Sequence, residues 1–222
     1  MDIYTRKDIK MKRLFRNTCL IILALSLIML AGCGGGSSDS GDSGEAQAAE
    51  EQTKAEGIGV HHAEIEIADY GTVSVELDGD EAPITVRNFM DLANKGFYDG
   101  LTFHRIIDGF MIQGGDPEGN GTGGSGTNIT GEFASNGIEN NIAHEKGVIS
   151  MARSQDYDSA SSQFFIMVED APYLDGEYAA FGHVTEGQDI VDKIAAEAQP
   201  VDSNGTMAPE DQPVITSIKI ID

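Results

Sequence analysis

Hydrophobic and polar residues alternate along two stretches after residue 59, and this pattern predicts a β-hairpin. The apolar positions are Ala63, Ile65 and Ile67 in the first stretch and Val73, Val75 and Leu77 in the second. Strict alternation is typical of antiparallel strands with one buried face. The intervening residues, Ala-Asp-Tyr-Gly, fit a short turn between the two strands.

Two later segments change to helical spacing. Pro83 occupies a favourable first helical position, and Gly96 ends the segment that it opens. The apolar residues at helical spacing are Val86, Phe89, Met90 and Ala93 in the first helix and Ile190, Val191, Ile194 and Ala195 in the second. Further β-rich runs cover residues 101–107, 110–113, 147–152, 163–168, 181–184 and 214–221. Seven or eight short strands with two helices predict an all-β domain, a closed antiparallel barrel capped by helices.

The amino terminus has a different pattern, a basic segment followed by an apolar run. Six basic residues precede residue 17, and the apolar run extends from Cys19 to Leu30. This run is too short to span a bilayer and is typical of a signal peptide. It ends in Leu-Ala-Gly-Cys, which resembles the lipobox of bacterial lipoproteins. The resemblance implies a signal peptide at 1–32, starting at Met1 or Met11, and a lipid on Cys33. The alternative is a plain secretory signal.

Residues 33–58 are predicted to be a lipidated cysteine followed by a flexible acidic linker. The linker has glycine, serine and acidic residues and, up to Gly57, no apolar residue larger than alanine. Such a composition cannot bury enough surface to fold. We therefore expect an extracytoplasmic domain that is lipid-anchored to the bacterial cell membrane and comprises residues 59–222.

Charge and cysteine content narrow the possible functions. The chain has 37 acidic and 14 basic residues and a formal charge of −23. Removal of residues 1–32 would leave 35 acidic and 8 basic residues and a charge of −27. A field of this sign repels phosphate backbones, so we expect no nucleic-acid binding. Two cysteines cannot form a disulfide framework, and no zinc-ligand spacing is present.

No cofactor or metal is predicted from sequence motifs. The chain lacks a nucleophile elbow, a P-loop and a His-Glu-x-x-His motif. Gly119, Gly121 and Gly124 match the spacing Gly-x-Gly-x-x-Gly, but the sequence that follows them does not predict a helix, which a dinucleotide site requires.

A series of motifs identifies the family that the domain resembles. They are Phe-His-Arg-Ile-Ile-Asp-Gly-Phe-Met-Ile-Gln-Gly-Gly-Asp at 103–116, Gly-Thr-Gly-Gly at 121–124, Ser-Met-Ala-Arg at 150–153, Ser-Ser-Gln-Phe-Phe-Ile at 161–166, Tyr-Leu-Asp-Gly at 173–176 and Phe-Gly at 181–182. In this order, residues 59–222 resemble the cyclophilin-type peptidyl-prolyl cis/trans isomerases. The resemblance implies an eight-stranded barrel with two capping helices and a proline-binding groove on its outer face.

The resemblance also implies roles for individual residues. Catalytic roles fall on Arg105, Gln113 and Phe110, and substrate binding falls on Met111, Ala152, Arg153, Gln163, Phe165, Tyr173, Leu174 and Tyr178. The backbone of 152–153 is expected to pair with the substrate, whereas His104 is expected to make structural hydrogen bonds. Tyr173 stands where many eukaryotic members have tryptophan, which argues against strong cyclosporin binding. Tyr178 stands where they have histidine.

The implied function is rotation of X-Pro bonds in exported, proline-containing polypeptides by a monomeric enzyme. Two alternatives remain open at this point. One is a low-turnover module on the same fold that binds proline-containing segments. The other, which rests on the tether alone, is a solute-capturing lipoprotein, although such proteins usually need two larger lobes.

Overall fold

The computed structural model describes residues 54–222 of the chain. The predicted signal peptide, Cys33 and most of the predicted linker lie outside the described residues. Within residues 54–222, no helix has the length and apolar character needed to cross a membrane.

The predicted amino-terminal hairpin is confirmed. Strands β1 (Val60–Ile67) and β2 (Gly71–Asp78) pair antiparallel, with Ala63 opposite Val75 and Ile65 opposite Val73. These apolar side chains are buried, whereas the glutamates between them lie outside the core. The alternating pattern therefore correctly predicts which side chains of both strands are buried.

Six more strands complete the sheet. They are β3 (Thr102–Ile107), β4 (Met111–Asp116), β5 (Val148–Met151), β6 (Phe164–Met167), β7 (Ala180–Glu186) and β8 (Ile215–Ile220). Phe110, predicted to begin a strand, instead ends the turn before β4, where its N–H donates to the Ile107 carbonyl at 3.0 Å. Gly109 has φ 72° in this turn, a conformation that glycine adopts without strain.

The eight strands form one curled antiparallel sheet in the order β3-β4-β6-β5-β7-β2-β1-β8. The two end strands approach each other at a single bridge between Thr102 and Val214. Backbone hydrogen bonds flank this bridge, including Ile215 N–H to the Leu101 carbonyl at 2.7 Å. The sheet is thus a curled half-barrel, and the fully closed barrel stays a prediction.

Two α-helices pack against the sheet, as the helical spacing predicts. Helix α1 spans Pro83–Asn94 and packs near β8 and β2, and helix α2 spans Gln188–Glu197 and packs near β2 and β4. Their buried apolar residues include Val86 and Phe89 in α1 and Val191 and Ile194 in α2.

Helix α1 receives its amino-terminal cap from a distant residue. Ala82 at the N-cap has no side chain that could accept the free N–H groups of the first turn. Glu132, which is 0% exposed, accepts hydrogen bonds from Ile84 N–H at 2.9 Å and from Thr85 N–H at 2.8 Å. The Thr85 hydroxyl donates to the same carboxylate at 2.7 Å. A buried carboxylate at this helix end also interacts favourably with the helix dipole.

Replacing Glu132 should therefore destabilise the domain. We expect Glu132→Ala to lower the free energy of unfolding by about 2–4 kcal/mol, because it leaves buried donors unpaired. Chemical denaturation followed by circular dichroism measures this change. The exposed Glu139 provides the control, and Glu139→Ala should change stability by less than about 0.5 kcal/mol. Equal stabilities of the two variants would contradict the capping role.

Candidate active site

The functional side chains lie on the outer face of the sheet because of strand register. Arg105 on β3 is opposite Gln113 on β4, Gln113 is opposite Phe165 on β6, and Phe165 is opposite Ser150 on β5. Neighbouring residues in these strands form a second row, whose buried members are Ile106, Ile112, Ile166 and Ile149. Because side chains alternate between the faces of a strand, the isoleucines fill the core and the first row faces outward.

A groove of about 370 Å³ lies over this outer row. Its lining residues are Arg105, Phe110, Met111, Gln113, Ala152, Arg153, Phe165, Tyr173, Leu174 and Tyr178. The structure thus brings together all the site residues predicted on the domain except Gln163. Gln163 lines an adjoining cavity of about 210 Å³, to which Gln113, Ala152 and Arg153 also contribute.

One wall of the groove is apolar. Met111, Phe165 and Leu174 belong to a hydrophobic cluster that is separate from the main core, and Phe110 packs against it. Aromatic contacts extend this wall to the rim, with ring centroids 6.0 Å apart for Phe110 and Tyr173. Tyr173 is 68% exposed, which places its ring at the solvent edge of the groove.

The other wall carries Arg105, whose side chain is fixed by neutral acceptors. Its Nε donates to the Asn204 carbonyl at 2.8 Å, and its Nη1 donates to Gln113 Oε1 at 3.1 Å. Within residues 54–222, Arg105 makes no salt bridge and its Nη2 has no acceptor. Partial burial lowers the pKa of Arg105, while Tyr178 and Asp202 oppose that shift. Arginine remains charged in proteins, so a free donor faces the groove.

A chain of amide hydrogen bonds orients Gln113. Its Nε2 donates to Gln163 Oε1 at 3.0 Å, and Gln163 Nε2 donates to the Gly123 carbonyl at 2.8 Å. The direction of this chain leaves Gln113 Oε1 as the acceptor for Arg105. Gln163 therefore acts beside the groove by fixing the orientation of Gln113, which agrees with its predicted place near the site.

The turn at 202–206 presents the Asn204 carbonyl to Arg105, and none of the sequence motifs predicts this turn. Asp202 Oδ1 accepts the N–H groups of Asn204 at 2.9 Å and Thr206 at 3.1 Å, which fixes the turn that presents the Asn204 carbonyl. Hydrogen bonds from the Thr206 backbone and hydroxyl lower the pKa of Asp202. Asn204 is 99 positions from Arg105 in the chain, so local patterning could not have revealed the contact.

The Arg153 side chain has a structural role that the sequence motifs do not indicate. Its Nε and Nη2 both donate to the Glu177 carbonyl, at 2.9 and 2.8 Å. The guanidinium carbon lies 4.7–5.0 Å from the ring centroids of Phe133, Tyr157 and Tyr178. Cation–π contacts of this kind stabilise the rim at Tyr178.

The backbone of 152–153 is only partly free for a substrate. Ala152 N–H donates to the Gln163 carbonyl at 2.9 Å. The N–H of Arg153 has no acceptor in the part of the chain that the structure describes. Backbone pairing with a substrate therefore stays a prediction. The backbone N–H of Arg153 is the donor available for it.

His104 does not make the side-chain hydrogen bonds expected of it. Both ring nitrogens are buried and lack partners within residues 54–222. Its backbone carbonyl instead accepts the Met207 N–H at 2.9 Å. Burial lowers the pKa of His104, so the ring is neutral at neutral pH.

Among the described residues, no group of three or more histidine, cysteine, aspartate or glutamate side chains could hold a metal ion. The glycine-rich segment at 119–126 contains no helix, and Gly121 lies beside the His104 ring. This segment lacks the strand-to-helix turn of a dinucleotide site.

Comparisons with known proteins agree with this geometry. The family model for cyclophilin type peptidyl-prolyl cis-trans isomerase/CLD matches residues 62–220. A peptidyl-prolyl cis-trans isomerase of Helicobacter pylori is 48% identical over 126 residues, covering 56% of this chain and 74% of that protein. Peptidyl-prolyl cis-trans isomerase B of Bacillus subtilis is 46% identical over 129 residues, covering 58% and 87%.

A solved structure shows the same fold. The crystal structure of a Cryptosporidium parvum cyclophilin type peptidyl-prolyl cis-trans isomerase has a TM-score of 0.64 and 30% identity, covering 73% of this chain and 98% of that one. A second structure of that protein, in the presence of the dipeptide Ala-Pro, has a TM-score of 0.63. The matched family, the relatives and the groove together establish that this chain belongs to the cyclophilin-type peptidyl-prolyl cis-trans isomerases.

Proposed function

We propose that Arg105 accelerates X-Pro isomerisation by donating a hydrogen bond to the proline nitrogen while the peptide bond is twisted. Rotation of this bond has a barrier near 20 kcal/mol, because amide conjugation must be broken. The twisted nitrogen carries a basic lone pair that the planar amide lacks. A donor that binds the twisted form alone lowers the barrier without tightening the ground state.

The observation that carries this proposal is a guanidinium without an ion-pair partner beside an apolar wall. The described domain is strongly acidic, and three of its seven other Lys and Arg side chains, Lys54, Lys146 and Arg153, contact carboxylates. Arg105 instead contacts the neutral oxygens of Asn204 and Gln113. Neutral acceptors fix the position of the guanidinium and leave its charge available for the reacting amide.

The mechanism also requires that one side of the rotating bond be held in place, and the apolar wall can do this by binding the proline ring. Phe110, Met111, Phe165 and Leu174 surround a space in which a pyrrolidine ring would be shielded from water. With the ring fixed, the residue before proline rotates past Arg105. Gln113, oriented by Gln163, and the free N–H of Arg153 would align the substrate backbone.

The proposed substrates are proline-containing unfolded or exported polypeptides. The Cryptosporidium parvum relative was crystallised in the presence of Ala-Pro, which supports recognition of an X-Pro unit by this groove. The amino-terminal pattern supports an extracytoplasmic location with a lipid on Cys33. A monomer is sufficient, because every residue of the proposed mechanism comes from one chain.

Removing the Arg105 guanidinium should strongly reduce turnover. We expect Arg105→Ala to lower kcat/KM by about 10²–10³, as is typical when one transition-state donor is deleted. A proline-peptide isomerisation assay measures this ratio. Arg105→Lys should remain well below wild type, because a single ammonium lacks the planar fork that spans both neutral acceptors and the substrate. The exposed Arg87 on α1 is the control, and Arg87→Ala should match wild type. An unchanged rate in Arg105→Ala would contradict the proposed role of Arg105, whereas little turnover in the wild type would favour the low-turnover binding module.

The pH profile should be flat near neutrality. No proton is transferred in the proposed mechanism, and burial lowers the pKa of both His104 and His144 from the ordinary value of 6.5. The lowered pKa values favour neutral rings at neutral pH, and kcat/KM should vary less than about twofold from about pH 6 to 8. Steady-state assays across the range test this expectation. A bell-shaped profile would indicate proton transfer and implicate His104.

Cys33 should determine membrane association. In a bacterial host, the full chain is expected in the membrane fraction, and Cys33→Ser should move it to the soluble extracytoplasmic fraction because the acylated thiol is lost. Cys19→Ser is the matched control, since Cys19 belongs to the predicted signal peptide. Membrane retention of Cys33→Ser would contradict a lipid anchor at this position.

A further inference from the structure

A line of three hydrogen-bonded polar side chains lies behind the apolar wall of the groove. His144 Nδ1 is 3.0 Å from Asp175 Oδ1, and His144 Nε2 is 3.0 Å from Ser150 Oγ. The histidine is 1% exposed. None of the three side chains lines the groove, so they have no place in the isomerisation mechanism derived above.

Burial excludes Ser150 from acting as a nucleophile in this arrangement. Its side chain is fully buried, and its register partner on β6 is Phe165, which faces the groove. Ser150 is 0% exposed and is not among the residues that line the groove, so a substrate in the groove has no access to its hydroxyl. The line of polar groups must therefore act through the residues that it supports.

One of these supported residues is Phe165 itself. The imidazole of His144 is stacked against the Phe165 ring, with centroids 6.1 Å apart and planes inclined by 17°. The hydrogen bond that the Ser150 hydroxyl donates to His144 Nε2 fixes the imidazole relative to β5. The position of Phe165 in the apolar wall thus depends on a ring that is fixed at both nitrogens.

The other supported element is the turn at 171–175, which carries Tyr173 and Leu174. His144 N–H donates to Asp175 Oδ1 at 2.7 Å, and the His144 carbonyl accepts Ala171 N–H at 2.8 Å. Asp175 directly follows Leu174 in the chain. His144 therefore contacts both ends of the turn that forms the opposite part of the apolar wall.

We propose that His144 is a positioning residue for the proline pocket. Through its hydrogen bonds with Ser150 and Asp175, His144 fixes the distance between Phe165 and the turn at 171–175 that carries Leu174. This inference rests on the proposed function in one respect, because its test measures isomerase activity. It assigns a role to a buried histidine that does not touch the substrate.

The hydrogen bonds define the protonation state in which His144 works. The Asp175 carboxylate only accepts, so Nδ1 carries the proton and Nε2 accepts the Ser150 hydroxyl. A second proton on the ring would turn Nε2 into a donor, so the Ser150 hydroxyl would have to rotate and accept, and the buried ring would carry a charge beside Phe165. The groups that face the ring are Asp175 from the turn, Ser150 from β5 and Phe165 from β6. Burial lowers the pKa of His144, and the hydrogen bond and charge of Asp175 oppose this shift.

The experiment measures kcat and KM of the full chain from pH 4.5 to 8 with a proline peptide. Wild type should lose activity on the acid side of the ordinary histidine pKa of 6.5, as the second proton enters His144. His144→Asn can keep a donor towards Asp175 but cannot reach Ser150 or titrate. Its kcat/KM at pH 7 should fall about tenfold, the equivalent of one or two net hydrogen bonds, mainly through KM. Its acid decline should disappear.

Asp175→Asn provides a second, independent measurement. The amide retains an acceptor oxygen but lacks the charge that raises the pKa of His144, so the midpoint of the acid decline should move to lower pH. His183→Gln is the control, because His183 is exposed on β7 and should leave the whole profile unchanged. Circular dichroism at each pH confirms that the variants are folded.

The outcomes separate this inference from the proposed function. An acid decline that persists in His144→Asn, or a midpoint that does not move in Asp175→Asn, overturns the positioning role. If His144→Asn does not fold, the midpoint in Asp175→Asn decides alone. Wild type without isomerase activity at pH 7 would instead contradict the proposed function.

Discussion

The alternation of side chains across β3, β4 and β6 is the constraint on which the rest of the molecule depends. One row of residues places isoleucines in the core, and the adjacent row places Arg105, Gln113 and Phe165 on the outer face. Core and groove are thus two faces of the same strands. A register shift of one residue would exchange them, so packing of the core also fixes the geometry of the site.

Neutral hydrogen-bond acceptors distinguish Arg105 from Lys54, Lys146 and Arg153, which contact carboxylates. A guanidinium surrounded by carboxylates would normally be neutralised by one of them. Here strand β4 supplies an amide oxygen and the turn at 202–206 supplies a carbonyl, both neutral. The groove therefore has a fixed guanidinium without a carboxylate partner facing one apolar wall.

The sequence predicted the elements whose signals are local. Alternation located β1 and β2, and helical spacing with Pro83 located α1. The site residues came from the family resemblance, and the groove contains nearly all of them. Contacts between distant segments could not be predicted, because no local pattern encodes them. Examples are the Asn204 carbonyl at Arg105, the Glu132 cap and the Asp175 contact of His144. His104 was misjudged because a buried histidine normally finds partners.

The contact between Arg105 and Asn204 joins residues that are far apart in the chain, so it forms late in folding. The chain between them includes β4 to β7 and α2, so the guanidinium cannot be oriented until 99 further residues have been synthesised and folded. Strand β8 is still later, and it pairs with β1 near the other end of the domain. Such long-range pairing slows folding. The groove of each molecule is therefore completed late in its own folding, and the contact that orients Arg105 is absent while the earlier part of the domain folds.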